Sequence, residues 1–428
     1  MTERVDGISA RHLKRTVTIC LVVSVVAITV VMLYILVISP AVAYSAAEKL
    51  EAAGDPVAAR DAFLALEAYR DAPDRALLAG YNGAKVLLEE GKYAEAKELF
   101  LALGEYRDSP DYALLADYER AGALVEERKY LEAKALFLSL GKYKDASDRV
   151  RKIQMKLQQS ISAGYDTVVA VKADGTVVTG ADEYSQRYAV TEWTDIVAVS
   201  EGSVHTVGLK SDGTVLAEGS NSYGQCDVSE WTDIMAVSAG SHHTVGVRAD
   251  GTVLAVGSNS HGQCEVSEWM DIIAVSAGDR TTVGLKADGT MVAVGQNLDG
   301  ECDVQWMKNT VAIAAGYWHT VALKSNDFVM ALGYKPSHNG VWEWTDIIAV
   351  AAGQYHTVGL KSDGTVVAVG DNLYGQCEVS EWTDIVAVAA GFTHTVGLKS
   401  DGTLVIAGYC SSIREDDGQK WSNIGLAG

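Results

Sequence analysis

Apolar and polar positions fall into three successive rhythms along the chain. Residues 16–38, TVTICLVVSVVAITVVMLYILVI, carry no charge, and a spanning helix needs about 20 such residues. From Tyr44 the apolar residues recur at spacings of three and four, the helical period. From Gln158 the period drops to two in segments such as "HTVGLK" and "TVLAVG", which predicts short strands. The chain therefore divides into a tail (1–15), an apolar helix (16–38), a helical region (44–157) and an all-β region (158–428).

The helical region repeats itself. Tyr44, Tyr81 and Tyr118 are spaced by 37, as are Phe63, Phe100 and Phe137, and Tyr69, Tyr106 and Tyr143. Gly91-Lys92-Tyr93 splits the unit into two helices, and "YRDSPD" has turn and N-cap chemistry. A hairpin that buries one face only against its neighbours is a solenoid unit. The order Tyr–Ala–Leu–Lys-Tyr–Glu-Ala–Phe resembles the tetratricopeptide repeat, although that family's period is 34 and its Trp-Leu-Gly signature is missing. The resemblance implies peptide binding; the alternative is a stalk.

The β region repeats seven times at a period of 37–39, which the turn residues Asp174, Asp212, Asp250, Asp288, Asn326, Asp363 and Asp401 mark out. Trp193, Trp231, Trp269, Trp306, Trp344, Trp382 and Trp421 give a second series of seven. Asp-Gly between alternating segments predicts a hairpin with positive φ at both turn residues. "DIIAVSAG" predicts a third strand. Seven such units form a radial β-propeller, which leaves few exposed edges. The first unit has no preceding Trp, so Ile424–Gly428 is expected to close the ring beside Ala163–Lys172. The motif "AGxxHTVGLKSDGTVxAVGxNxYGQC" resembles the regulator of chromosome condensation repeat in its Cys-containing bacterial form. The resemblance implies a seven-bladed propeller that serves as a binding platform. Some members exchange nucleotide on a small GTPase and sit on chromatin; a secreted bacterial relative inhibits β-lactamase with one propeller face.

Composition narrows the function. The net charge is −21, and residues 158–428 hold 33 acidic against 13 basic side chains. That opposes nucleic-acid binding, which rests on Lys and Arg neutralising phosphates. Arg11, Lys14 and Arg15 precede the apolar segment and no Lys or Arg follows it until Lys49. The positive-inside rule then predicts a single-pass protein of the cell membrane, with a cytoplasmic N-terminus and extracellular C-terminal domains. A cleaved signal peptide ending at Ala41-Val42-Ala43 is the alternative. Its apolar core would be about 7–15 residues, and this one is longer. The six cysteines form no CxxC pair. Those in the repeats are expected to be small buried or half-buried hydrophobes.

Chemistry is sparse. His205, His243, His319, His356 and His394 share one repeat position, with Thr167 and Thr281 in the other two copies. Such a ring near an axis is a candidate metal site, but each His is followed by Thr at a strand head. A neutral imidazole tied to a neighbouring backbone group is expected instead, with no metal. No nucleophile–base pairing, Walker loop, zincin motif or EF-hand spacing occurs, so no catalytic residue and no cofactor is assigned, and the protein is not read as an enzyme. Within each unit Ala-Gly, His-Thr and Asp-Gly barely change, while the two residues after Ala-Gly change every time. Tyr165, Asp166, Asp279, Arg280, Tyr317, Trp318, Tyr355 and Phe392 are therefore expected on one solvent-facing surface, as exposed aromatics with scattered charges that bind a partner. The alternative is that these aromatics only cover the central channel. A second variable loop holds Tyr223, His261, Asp299 and Tyr374, and Glu415-Asp416-Asp417 reads as a solvated loop. The function expected is a membrane-anchored, extracytoplasmic binding scaffold, monomeric, whose partner is a protein or a peptidoglycan-associated surface ligand. The alternatives are an assembly role in which the helical repeats grip the partner, or a metal or enzyme site in the channel.

Overall fold

The computed structural model describes residues 21–180, 188–335, 339–411, 421–422 and 424. The tail, the basic cluster before the apolar segment, residues 425–428 and Glu415-Asp416-Asp417 lie outside the described residues. Two compact units are present, Met1–Gly122 and Ala123–Gly428.

In the first unit, helix α1 (Leu21–Ala52) has a mean hydropathy of 3.1 and none of its apolar window is buried. It is long and apolar enough to cross a membrane. Helices α2 (Pro56–Leu64), α3 (Ala72–Glu89), α4 (Tyr93–Ala102) and α5 (Ser109–Glu126) follow. Asp55 caps α2 by accepting from Ala58 N at 3.0 Å. The 37-residue period has a packing cause. Tyr44 meets Phe63 and Tyr69 edge-on at 5.5 and 5.9 Å, and Tyr81 repeats this with Phe100 and Tyr106 at 6.0 and 6.1 Å. Each tyrosine hydroxyl then donates to an aspartate in the next turn region, Tyr44 to Asp71 and Tyr81 to Asp108. The basic residue before that aspartate, Arg70 or Arg107, takes a left-handed φ of 54° or 52°. This backbone is unfavourable away from glycine. Its guanidinium lies 5.2 Å from the tyrosine ring centroid, a cation–π contact that offsets the cost.

The second unit opens with α6 (Tyr130–Leu140) and α7 (Ala146–Gln158). Among the described residues twenty-one strands follow in seven three-stranded antiparallel sheets, β1-β2-β3 through β19-β20-β21. In each blade the first strand is innermost; in blade 2 these are β4 (Ile196–Glu201), β5 (His205–Lys210) and β6 (Val215–Gly219). The hairpin turn differs from expectation. Of Asp212-Gly213, Gly213 alone has positive φ, at 81°, and Lys210 N bonds to Thr214 O at 2.9 Å. This is the longer hairpin with a left-handed glycine. Asp212 supports it by accepting from Thr214 N and Oγ1 at 3.0 and 2.6 Å.

Ring closure occurs at Ile424. Its N bonds to Gly402 O at 3.1 Å, as Ile385 N does to Gly364 O at 3.0 Å. It then bridges Lys172 as Ile196 pairs with Lys210. The C-terminus thus supplies the first position of an inner strand that β1 (Ile161–Ala163) continues.

The tryptophan series needs one correction. Trp193, Trp231, Trp269, Trp344 and Trp382 each lie on a middle-strand glycine: Gly208, Gly246, Gly284, Gly359 and Gly397. A Cβ on any of these glycines would come within 2.5–2.8 Å of the indole. Trp306 is out of phase and half exposed, at 50%. Met307 fills the indole's place at 1% exposure, and Ala322 replaces the glycine in the same core cluster. A large–small pair has become a medium–medium pair. Gly246→Ala is therefore expected to destabilise the propeller by about 1–3 kcal/mol through overpacking. Met307→Trp should do the same, and adding Ala322→Gly should recover most of the loss. Denaturant unfolding of the wild type, Met307→Trp, Ala322→Gly and the double variant measures the coupling; additive effects would refute the pairing.

Candidate functional site

The site is built on seven glycines at the ends of the inner strands: Gly164, Gly202, Gly240, Gly278, Gly316, Gly353 and Gly391. A Cβ on Gly202 would lie 2.2 Å from Gly240 O, and the same approach runs blade to blade until Gly391 meets Gly164 O at 2.6 Å. The residue after the glycine fastens the ring. Tyr317 N bonds to Gly353 O at 3.3 Å, Gln354 N to Gly391 O at 3.3 Å and Phe392 N to Gly164 O at 3.0 Å.

This geometry separates the two variable positions. The first in each blade (Tyr165, Ser203, Ser241, Asp279, Tyr317, Gln354, Phe392) lines the axial mouth around a cavity of about 80 Å³. Phe392 lies 4.3 Å from Tyr165 and 5.6 Å from Tyr317 by ring centroids, so three aromatics cluster over the channel. The second position points outward, onto the loop after the outer strand. Asp166 accepts from Ser411 N at 2.9 Å. His242 meets Tyr223 edge-on at 5.4 Å, and Tyr355 meets Tyr334 at 5.8 Å. Arg280 reaches Gln296 at 3.3 Å and pairs with Asp279 at 3.3 Å. Trp318 is half-buried, 6.5 Å from Tyr317. Asp279 differs from the solvent-facing expectation, because its place in the inner ring leaves it 8% exposed.

The pairing of His205 with Gly219 puts the loop after each outer strand on this same face. Tyr223, Tyr374 and Tyr409 are 56–59% exposed there, and Leu373 is 86% exposed. Sequence reasoning left these four outside the site, although the repeat carried the signal. Asn221 accepts from Cys226 N at 2.8 Å and Gln225 accepts from Tyr223 N at 2.9 Å. The fixed residues hold the loop and the variable one is displayed. The cysteines here are half-buried thiols, and burial raises those of Cys226, Cys264 and Cys377 to about 11. Exposed Asp227, Glu265, Asp303 and Glu378 add negative charge, against Arg280 and Lys335 as cations of the face among the described residues.

Beneath the glycines the histidines bridge blades. His205 Nε2 lies 2.8 Å from Thr244 Oγ1; His243, His319 and His356 lie 3.0 Å from Thr282, Thr357 and Thr395. Thr244, Thr282 and Thr395 each donate their hydroxyl proton to a carbonyl, of Gln225, Gln263 and Gln376, at 2.7 Å. Those hydroxyls accept from the imidazole, so Nε2 carries a proton. A neighbouring threonine side chain is thus a partner in addition to the expected backbone group, which is Thr281 for His243, His394 for His356 and Thr167 for His394. Burial pushes His243 and His394 down to about 4 and His356 to about 3. Among the described residues no group of three or more His, Cys, Asp or Glu side chains is placed to hold a metal.

Blade 1 shows what replaces the relay. Thr167 stands where the His would be, and Glu201 enters a layer otherwise made of alanines. Its carboxylate accepts from Thr167 Oγ1 at 2.6 Å and from Thr206 Oγ1. Glu201 occupies the imidazole's space, since a Cβ on Gly164 would meet its Cγ at 2.5 Å, as one on Gly202 would meet the His205 ring.

Two outcomes follow. His243, His356 and His394 stay neutral in the fold while the unfolded chain protonates near pH 6.5, so their contribution is complete above that pH. It is lost as pH falls from 6.5 towards 4, by roughly 1.4 kcal/mol per pH unit for each histidine. Thermal midpoints by near-ultraviolet circular dichroism should drop steeply across this window, less so in His356→Gln; a flat profile refutes the relay. The turn aspartates, held low by their threonines, act only below pH 3.8. Secondly, Glu201→Ala should cost about 2–4 kcal/mol, because two buried hydroxyls lose their acceptor. Adding Thr167→His should restore stability, and failure of that rescue would show that Glu201 does not stand in for the imidazole.

Four segments, residues 196–225, 235–263, 272–301 and 347–376, match the regulator of chromosome condensation (RCC1) repeat. No curated protein sequence matches the chain. Among solved structures, the CRINKLY WD40 ectodomain of the Arabidopsis thaliana receptor kinase ACR4 is similar at 20% identity, over 60% of this chain and 98% of that one, with a TM-score of 0.49. The ectodomain of the Physcomitrella patens receptor kinase CR4 is 21% identical over 58% and 72%, also at 0.49. Prp20p from Saccharomyces cerevisiae is 15% identical over 61% and 84%, at 0.44. The chain carries regulator of chromosome condensation repeats and builds them into a seven-bladed propeller preceded by helices.

Proposed function

We propose that this protein is a membrane-anchored, non-catalytic scaffold whose loop face captures a partner protein outside the cytoplasm. The supporting observation is the double ring of variable side chains on one rigid face. Aromatics stand at its centre (Tyr165, Tyr317, Phe392) and around its rim (Tyr223, Tyr334, Tyr355, Tyr374, Tyr409). Aromatic clusters of this kind concentrate binding energy. The acidic surround favours a basic partner surface, through faster association and through cations stacked on the rings. Helix α1 supplies the anchor, and the charges at Arg11, Lys14 and Arg15 favour a cytoplasmic N-terminus.

The experiment is capture of surface and secreted proteins by the full-length chain in lipid nanodiscs, compared with Trp318→Ala/Tyr355→Ala and with Tyr223→Ala/Tyr374→Ala. Each pair is expected to weaken capture of the same protein at least tenfold while the unfolding midpoint stays in place. Capture that survives both pairs overturns the reading. Capture lost instead on changing exposed helical residues such as Leu101 and Leu114 would move the partner to the helical repeats.

A further inference from the structure

On the opposite side of the propeller, the channel below the His–Thr layer is not filled by side chains. A cavity of about 520 Å³ lies between the inner strands and the α6–α7 hairpin. Helix α7 is fixed there by its amides. Gln158 exchanges hydrogen bonds with Val388 N and O at 2.9 and 3.1 Å, and Gln154 Nε2 donates to Val386 O at 2.9 Å. The wall is aliphatic, with Val199, Val237, Val275, Ile313, Val350 and Val388 each from a different blade.

The next position along the inner strand is Ser in blades 1–4 and Ala in blades 5–7. The serine oxygens are already engaged: Ser200 accepts from Ala239 N and Ser276 from Ala315 N, both at 2.9 Å. The wall therefore favours an apolar occupant, and the volume lies in the range of small-ligand sites. The charged residues of the lining are Lys134 and Arg151 on the helices and Asp327 on the blade 5 turn. Arg151 is paired with Asp148 at 3.2 Å. Lys134 differs: its Nζ donates to Gln154 Oε1 at 2.6 Å, and it has no carboxylate partner among the described residues. Burial holds its pKa below the usual lysine value. A half-buried ammonium facing an apolar cavity without a counter-ion gains most from an anion delivered there.

We infer that this cavity binds a single-chain anionic amphiphile, its apolar tail among the inner-strand valines and its carboxylate or phosphate head on Lys134. The experiment uses the full-length chain in nanodiscs and dodecanoate bearing a terminal diazirine. Photolabelling should be saturable and should map to the inner strands or α7. Unlabelled dodecanoate and dodecyl phosphate should compete, dodecyltrimethylammonium should not, and dodecanol should compete weakly. Lys134→Gln should weaken labelling about tenfold and bring dodecanol level with dodecanoate. Ala351→Leu and Ala389→Leu, each tested for an unchanged circular dichroism spectrum, should fill the cavity and abolish labelling. Labelling confined to α1, equal competition by the cationic amphiphile, or full labelling in a folded filling variant would each overturn the inference. The loop-face reading is unaffected by any of these results, because no residue of that face is altered.

Discussion

Around the axis each inner-strand glycine packs against the next glycine's carbonyl, and the channel is arranged around that approach. Seven such contacts close on themselves, so no blade can move outward alone to admit a methyl group. A Cβ at 2.2–2.6 Å from a carbonyl oxygen cannot be absorbed by rotating a side chain, since both partners are backbone. The approach fixes the channel radius. That radius brings the imidazoles of His205, His243, His319 and His356 within reach of the next blade's threonine and the first variable side chains together over the axis. Relay and aromatic cluster are both consequences of how close the seven strand ends come.

Irregular blades show which parts of the template are physical necessities. Blade 5 gives up indole-on-glycine for Met307 against Ala322, keeping the volume while changing both residues. Its turn replaces the left-handed glycine with Asp327 at φ 64°, a residue type that tolerates this backbone. Blade 1 gives up the imidazole, and Glu201 from blade 2 fills the space and satisfies both hydroxyls. At His394 the relay stops, because the next blade offers Val168 where the others offer threonine. In the first and third cases two residues distant in sequence change together. The requirement is met by the pair, which is why no single position shows it.

This explains what could be read from the chain alone. The blades were legible because turn and strand chemistry recurs at a fixed period, and closure through Ile424 was legible because one unit lacked its opening segment. Trp306 has the residue type of the tryptophan series but not its phase, because Met307-Lys308-Asn309 aligns with Trp-Thr-Asp. Glu201 was invisible because its role lies across a blade interface. The variable pair after Ala-Gly was legible as a pair, but its division into an axial and an outer ring depends on Phe392 N and its equivalents turning onto the next blade. The axial cavity escaped because the α6–α7 hairpin followed the helical repeat and gave no sign that it packs with the propeller.

The two ends of the channel differ in kind. At the loop face the mouth is narrow and closed by aromatics that belong to individual blades, so its chemistry can change without disturbing the ring below. At the hairpin face the wall is made of template residues, and individuality comes from Lys134 and Gln154 on the helices. Between them His243, His356 and His394 carry no charge at neutral pH, because burial opposes protonation, and Nε2 of His243 and His356 is committed to a threonine that already donates elsewhere. A neutral layer of this kind separates the acidic loop face from the cavity beside the hairpin. Either end can then acquire a ligand without electrostatic cost to the other.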